Sequence, residues 1–200
     1  MPAAAIGILA LQGDFTEHQS AVEKLGYKTK LIRSLVDTEN VAGLILPGGE
    51  STTIGKLLIS TRLATWIKRQ AKLGMPVYGT CAGCILIAQR VDSPYSLKLI
   101  DITVQRNAYG RQLDSFVDNL TVSKKFVGTL HATSVSGVFI RAPKITAVGR
   151  GVTVLVAHHH SSVLVQQKNI LAGTFHPELM REKSSVHSYF INLALQWNKR

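Results

Sequence analysis

The sequence predicts an α/β fold: a three-layer sandwich with a mostly parallel central sheet between helices, plus additional antiparallel strands. Three observations carry this reading. From residue 5 to residue 90, short apolar runs alternate with amphipathic stretches, the pattern of strands crossed over by helices. From about Leu99 to Gln167 the chain becomes rich in Val, Ile and Thr, with turn residues at short intervals, which calls for several partly antiparallel strands. Leu171 to Phe175 then returns to a continuous apolar run, as a strand buried on both faces requires.

Each element has its own local cause. Ala5 to Leu11 is a short apolar run and reads as the first strand. Asp14 starts a helix whose apolar positions Phe15, Val22 and Leu25 keep helical spacing, and Gly26 supplies its stop. Lys28 to Arg33 and Val41 to Leu46 are the next two strands, the latter running into Pro47-Gly48-Gly49. Ser51 is the expected cap of a helix that continues toward Leu73, with a break near Ser60-Thr61. Gly74 ends that helix and Pro76 prevents its resumption. Met75 to Gly79 reads as the fourth strand and Ala82 to Arg90 as the helix after it. At the end, Val186, Tyr189, Phe190, Leu193, Ala194 and Trp197 form one apolar helical stripe. No internal repeat or long linker divides the chain, so residues 1–200 are expected to form one domain.

Composition narrows the function classes. With 46% hydrophobic and 18% charged residues, the chain has enough apolar surface to offset the ordering entropy of folding, which excludes a disordered protein. The formal net charge of +11 invites a nucleic-acid reading. The positive residues are dispersed, however, with Lys68-Arg69, Lys124-Lys125 and Lys199-Arg200 the densest groups, and no zinc-finger spacing or aromatic RNA-binding signature accompanies them. The apolar N-terminus lacks a basic region ahead of it and Gln12-Gly13-Asp14 stops it early, so it reads as a strand and the chain as cytoplasmic. No apolar run is long enough for a membrane span.

Three segments fall at the carboxyl ends of strands, where sheets of this kind bind ligands. In Tyr78-Gly79-Thr80-Cys81-Ala82-Gly83, a cysteine sits at a strand-to-helix junction between glycines. A nucleophile there is lifted above the sheet, and the helix N-terminus favours a thiolate. In Thr174-Phe175-His176-Pro177-Glu178, the imidazole and carboxylate lie at i and i+2 of a segment expected to be extended, hence on one side. Pro177 favours that geometry, and the carboxylate would fix the imidazole tautomer. Together the two segments offer nucleophile, base and orienter. In Leu46-Pro47-Gly48-Gly49-Glu50-Ser51-Thr52-Thr53, the glycines allow backbone N–H groups to approach a substrate oxyanion.

These blocks resemble class I glutamine amidotransferases, and more narrowly the glutaminase subunits of pyridoxal 5′-phosphate synthase. The resemblance runs nearly the whole chain. Its narrower signature includes Leu9 to Asp14, the stretch from Arg106 to Phe116, and Val138-Phe139-Ile140-Arg141-Ala142-Pro143. It implies a flavodoxin-like sandwich and hydrolysis of L-glutamine to glutamate and ammonia through a thioester. Cys81 would be the nucleophile, His176 the general base and acid, and Glu178 its orienter. Gly49 and Ala82 would supply the oxyanion hole. Gly49, Glu50, Ser51, Arg106, Ile140 and Arg141 would contact glutamine, an arginine fork suiting its carboxylate. The resemblance further implies a (β/α)₈-barrel synthase subunit as partner in a large hetero-oligomer, with Gln12 near the interface and the glutaminase weakly active until the partner orders the oxyanion hole. No cofactor, metal, nucleic acid or membrane enters this expectation.

Two features stand outside it. Cys84 creates a C-x-x-C where relatives carry an apolar residue, and reads either as a small core residue or as a partner for reversible oxidation of Cys81. His158-His159-His160 reads as a solvated turn, because adjacent histidines diverge and no carboxylate or cysteine sits beside them at ligand spacing. A cysteine peptidase, a redox chaperone-like protein and a thioredoxin-like oxidoreductase also use such cysteines, but leave the Gly49 and arginine elements unexplained. His18, His131 and His187 carry no sequence pattern, with His187 expected on the last helix.

Overall fold

The structure is a computed structural model that describes residues 4–106, 115–130, 134–180 and 184–199. In chain order its first half runs β1 (Ala5–Leu9), α1 (Phe15–Lys24), β2 (Thr29–Ile32), β3 (Val41–Leu46), α2 (Ser51–Ser60), α3 (Leu63–Leu73), β4 (Val77–Thr80) and α4 (Ala82–Ile87). Strands β5 (Ala88–Val91), β6 (Ile100–Gln105), β7 (Phe116–Val122), helix α5 (Val127–Leu130) and strands β8 (Ser134–Phe139), β9 (Lys144–Val148), β10 (Thr153–His158), β11 (Ser161–Gln167) and β12 (Ile170–Gly173) follow, before α6 (Ser185–Asn198).

The large sheet has the order β2-β1-β3-β4-β12-β11-β10-β7-β8. From β2 to β12 all neighbours are parallel, and from β12 to β8 all are antiparallel. A second, small sheet, β5-β6-β9, packs beside β11 of the large one. Apart from the edge strand β2, which is half-buried, the parallel strands are buried throughout or nearly so, which explains why β3 reads as a continuous apolar run rather than an alternating one. Two cores flank them. On one side Ile54, Leu58, Leu63 and Ile67 of α2 and α3 cluster with Leu44, Leu46 and Val77. On the other, Val22 of α1 and Val186, Phe190 and Ala194 of α6 cluster with Ile6, Ile8 and Ile45. Period-2 alternation along each strand feeds both layers.

Beyond shifts of one or two residues at strand ends, such as β1 ending at Leu9, β4 starting at Val77 and β12 ending at Gly173, three boundaries differ from the sequence expectation. The helix after β3 does break after Ser60, but its N-cap is Glu50, not Ser51. The Glu50 carboxylate accepts from the Thr52 and Thr53 amides, while Ser51, in the first turn, is buried. The helix after Cys81 stops at Ile87 instead of Arg90, because Ala88 turns extended and Ala88–Val91 pairs with β6. The sheet pairing thus overrides helical continuation. Finally, Pro177–Leu179 is one turn of 3₁₀ helix rather than extended chain, with Pro177 at its first position, where the missing N–H costs nothing.

Register places the chemistry. Leu46 pairs with Gly79, and Thr80 with Gly173. The loop after β3, the turn after β4 and the segment after β12 therefore leave the sheet side by side at its carboxyl edge. Gly83 lets α4 start directly against this edge: a Cβ there would overlap the Leu46 carbonyl oxygen. The Gly83→Ala variant is expected to lose about 1–3 kcal/mol of stability through overpacking. Urea denaturation measures it, and an unchanged midpoint would mean that α4 can slide off β3 at no cost.

Candidate active site

Cys81 lies between the last residue of β4 and the first of α4, with φ 48° and ψ −104°. This conformation is sparsely populated for an L-residue and stores on the order of 1–3 kcal/mol of strain. It is held by the Cys81 N–H donating to the Gly173 carbonyl at 2.9 Å and by the Cys81 carbonyl accepting from Ile85 N–H at 3.2 Å. The residue is 8% exposed, and Sγ lies 3.9 Å from the Ile140 carbonyl oxygen.

His176 is brought opposite by its own anchor, an N–H donated to the Val138 carbonyl at 2.8 Å. Its Nδ1 lies 2.7 Å from Glu178 Oε1 and 3.5 Å from Asp14 Oδ2, so Nε2 is the ring nitrogen left for proton exchange with the nearby Cys81 thiol. Burial opposes a charge on the imidazole, but the hydrogen bonds and negative charges of Cys81 and Glu178 prevail and hold it up to about 10. Burial also pushes the Glu178 carboxyl upward, against the lowering effect of its bond to His176. Gly48 has no side chain because none would fit: a Cβ would sit 2.5 Å from His176 Cε1.

The remaining sequence-predicted residues surround this group. Gly49 has φ 143°, and the Glu50 N–H beside it donates to Gln12 Oε1 at 2.7 Å. Gln12 thus ties the loop after β1 to the loop after β3. The Glu50 carboxylate is committed to the α2 cap, whose Thr52 amide and Thr53 hydroxyl and amide hold it down to about 2. Arg106 reaches the same carboxylate at 4.0 Å, so the cap also holds one of the two candidate carboxylate-binding arginines. Ala82 is the first residue of α4, where an amide N–H has no intrahelical acceptor. Ile140 and Arg141 follow β8, Arg141 in a left-handed conformation with φ 44°. Residues 107–114 of the stretch from Arg106 to Phe116 lie outside the described residues, as does His131.

Residues 8–196 match the SNO glutamine amidotransferase family. The chain belongs to that family. A curated relative of this amidotransferase, the pyridoxal 5′-phosphate synthase subunit PdxT of Pseudothermotoga lettingae, is 46% identical over 94% of this chain and 95% of that protein. The protein of the same name from Desulforudis audaxviator is 47% identical over 94% and 98%. A solved glutamine amidotransferase superposes with TM-score 0.86 at 40% identity, covering 96% of this chain and 99% of that one. The structure of PurLQS from Thermotoga maritima shares the fold, with TM-score 0.70 at 16% identity over 99% of this chain and 100% of that one.

Other residues of the amidotransferase fall differently from the sequence reading. Cys84 is fully buried in the apolar cluster with Leu46, and burial, then the nearby Cys81, pushes its thiol far up, so it behaves as a small core residue. His158 belongs to β10 rather than to the following turn, and the expectation that no carboxylate stands beside it is overturned. Asp118 Oδ2, on the adjacent β7, lies 2.8 Å from His158 Nε2. The pairing of β7 with β10 creates that contact across 40 residues, a separation that local spacing does not reveal. No helix among the described residues is long and apolar enough to cross a membrane.

Proposed function

We propose that this amidotransferase is the glutaminase subunit of a pyridoxal 5′-phosphate synthase: it hydrolyses L-glutamine and passes the ammonia to a synthase partner. The observation that carries the chemistry is the strained Cys81 facing an imidazole whose far nitrogen is 2.7 Å from a buried carboxylate. Cys81 Sγ attacks the side-chain amide carbon, and the carbonyl becomes an oxyanion. His176 holds the proton that leaves sulfur and delivers it to the departing amine as the C–N bond breaks, leaving a thioester. Water then attacks with His176 as base, releasing glutamate and returning the thiol.

The backbone N–H groups of Gly49 and Ala82 are the donors assigned to the oxyanion. Arg106 and Arg141 are assigned to the substrate carboxylate, with Ser51 and Ile140 beside the amide and Glu50 acting through the α2 cap. Gln12 is assigned to the partner interface, because its clamp on Glu50 N–H couples the loop after β1 to Gly49. A synthase partner is supported by the relatives named as synthase subunits; that the partner is a (β/α)₈-barrel subunit in a large hetero-oligomer is part of the same proposal and rests on the resemblance alone.

The test is glutamate and ammonia release from glutamine, with and without the synthase subunit. Release that rises on adding the subunit is expected. No release in its presence would overturn the reading.

A further inference from the structure

Behind Glu178 lies a polar group that the triad chemistry does not use. His18, on α1, and His187, on α6, are both completely buried. His18 Nδ1 is 2.9 Å from His187 Nε2. His18 Nε2 is 3.0 Å from Thr80 Oγ1 and 3.4 Å from Glu178 Oε2. That second carboxylate oxygen has no hydrogen bond among the described residues, and the His18 imidazole edge stands 3.4 Å from it. Two buried imidazoles from two helices, meeting at the end of β4, are costly to retain in a core unless their polar edges are used.

The tautomers follow from the partners. Burial, then the neighbouring His187 and His176, holds His18 well below the ordinary imidazole range, and burial pushes His187 down to about 4. Both are therefore neutral at neutral pH. An ionised carboxylate only accepts, so a bare His18 Nε2 facing it at 3.4 Å would repel it. Nε2 thus carries the proton, Nδ1 accepts from His187 Nε2–H, and His187 Nδ1 is bare. The chain runs from α6 through α1: Nε2–H donates to Thr80 Oγ1 at 3.0 Å and faces Glu178 Oε2 at 3.4 Å.

We propose that His18 is a positioning residue for the triad: its Nε2–H, anchored on Thr80 and backed by His187, holds Glu178 with Oε1 on His176 and Oε2 in a polar environment. The 3.4 Å separation is longer than a full hydrogen bond, and contacts of this kind tighten when substrate arrives. The proposal rests on the glutaminase reading. It also makes His18 an influence on Glu178 ionisation. The other groups around that carboxylate are His176 on its own turn, Asp14 ahead of α1, Tyr78 and Thr80 on β4, Cys81 beyond His176, and His187 on α6. Of these, Asp14 opposes the carboxylate charge and His176 favours it. The Glu178 backbone N–H favours it too; on this proposal the His18 donor adds to these, and its loss raises the carboxyl further.

The experiment compares wild type, His18→Gln, His18→Asn and His18→Leu as full chains with the synthase subunit, measuring kcat, KM for glutamine and the pH profile of kcat/KM. A glutamine amide places a donor where Nε2 stands; an asparagine amide reaches only the Nδ1 position and keeps only the His187 contact. The Asn and Leu variants are expected to lose about 10- to 100-fold in kcat, as other outer partners of reactive groups do, with KM within about twofold of wild type. Their acid limb is expected to move to higher pH, while Gln restores most of kcat. Equal activity of Asn and Gln, or an unshifted acid limb with losses that track melting temperature, would overturn the proposal and leave His18 a core residue. Wild type that releases no glutamate in the same assay would instead remove the glutaminase reading beneath it.

Discussion

Replacing Cys81 by alanine is expected to lower glutamine hydrolysis by about 10⁴-fold or more, and His176→Asn to lower it by about as much. The two side chains act as one unit: without sulfur there is no thioester, and without the imidazole the proton has no route from sulfur to the leaving amine. The double variant should therefore be no worse than either single one. Glutamate release in the presence of the synthase subunit measures this. A single variant retaining a tenth of wild-type activity would refute the assignment of that residue. His176 also links the site to stability. Its folded-state value, about 10, lies above the ordinary 6.5, so protonation in the folded state stabilises the protein. That contribution is fully present below about pH 6.5 and drains away as pH rises through about 10. His176→Asn lacks it, so its stability deficit in denaturant should be largest below about pH 6.5 and should shrink steadily on going to pH 10.

What the sequence reveals follows the range of the forces involved. The apolar runs of β1, β3 and β4 and the stripe of α6 are local patterns, and the structure has elements at all of them. Cys81 at a strand-to-helix turn and the His176–Glu178 spacing are legible because chain neighbours set them up. Features that depend on long-range pairing are not. Helix α4 ends at Ile87 because β5 finds β6, and Ser51 yields the cap to Glu50 because the longer side chain reaches the Thr52 and Thr53 amides. His18 and His187 show no pattern because they are separated by 169 residues and meet only when α1 and α6 pack on one face of the sheet. Asp118 and His158 meet only through strand pairing. A lone histidine at a position facing the core, as His18 is on the Val22 side of α1, was the one available hint: burying an imidazole is unfavourable unless something bonds it.

Glu178→Gln is the more informative of the large effects, because it leaves shape almost unchanged. The amide keeps an oxygen that can accept from His176 Nδ1–H, but it removes the negative charge that helps hold the imidazole at about 10. It also allows the opposite orientation, in which an amide N–H faces Nδ1 and forces the proton onto Nε2, the wrong tautomer for taking a proton from sulfur. A loss of about 10²–10⁴-fold in kcat is expected, by analogy with the carboxylate-to-amide change in serine protease triads, while glutamine binding is little altered. Stability should change little, because two effects oppose: the His176 imidazolium loses a charge that helps hold its proton, while a desolvation cost is removed. Glu178 is buried and its carboxyl is pushed upward by that burial, so the neutral amide escapes a desolvation cost that the carboxylate bears. Steady-state glutamate release with the synthase subunit, alongside denaturant melts, separates the two effects. A variant that lost activity and stability in proportion would show the carboxylate to be a structural group. A folded variant with wild-type kcat would show that His176 needs no charged orienter, and the triad would reduce to a cysteine–histidine pair.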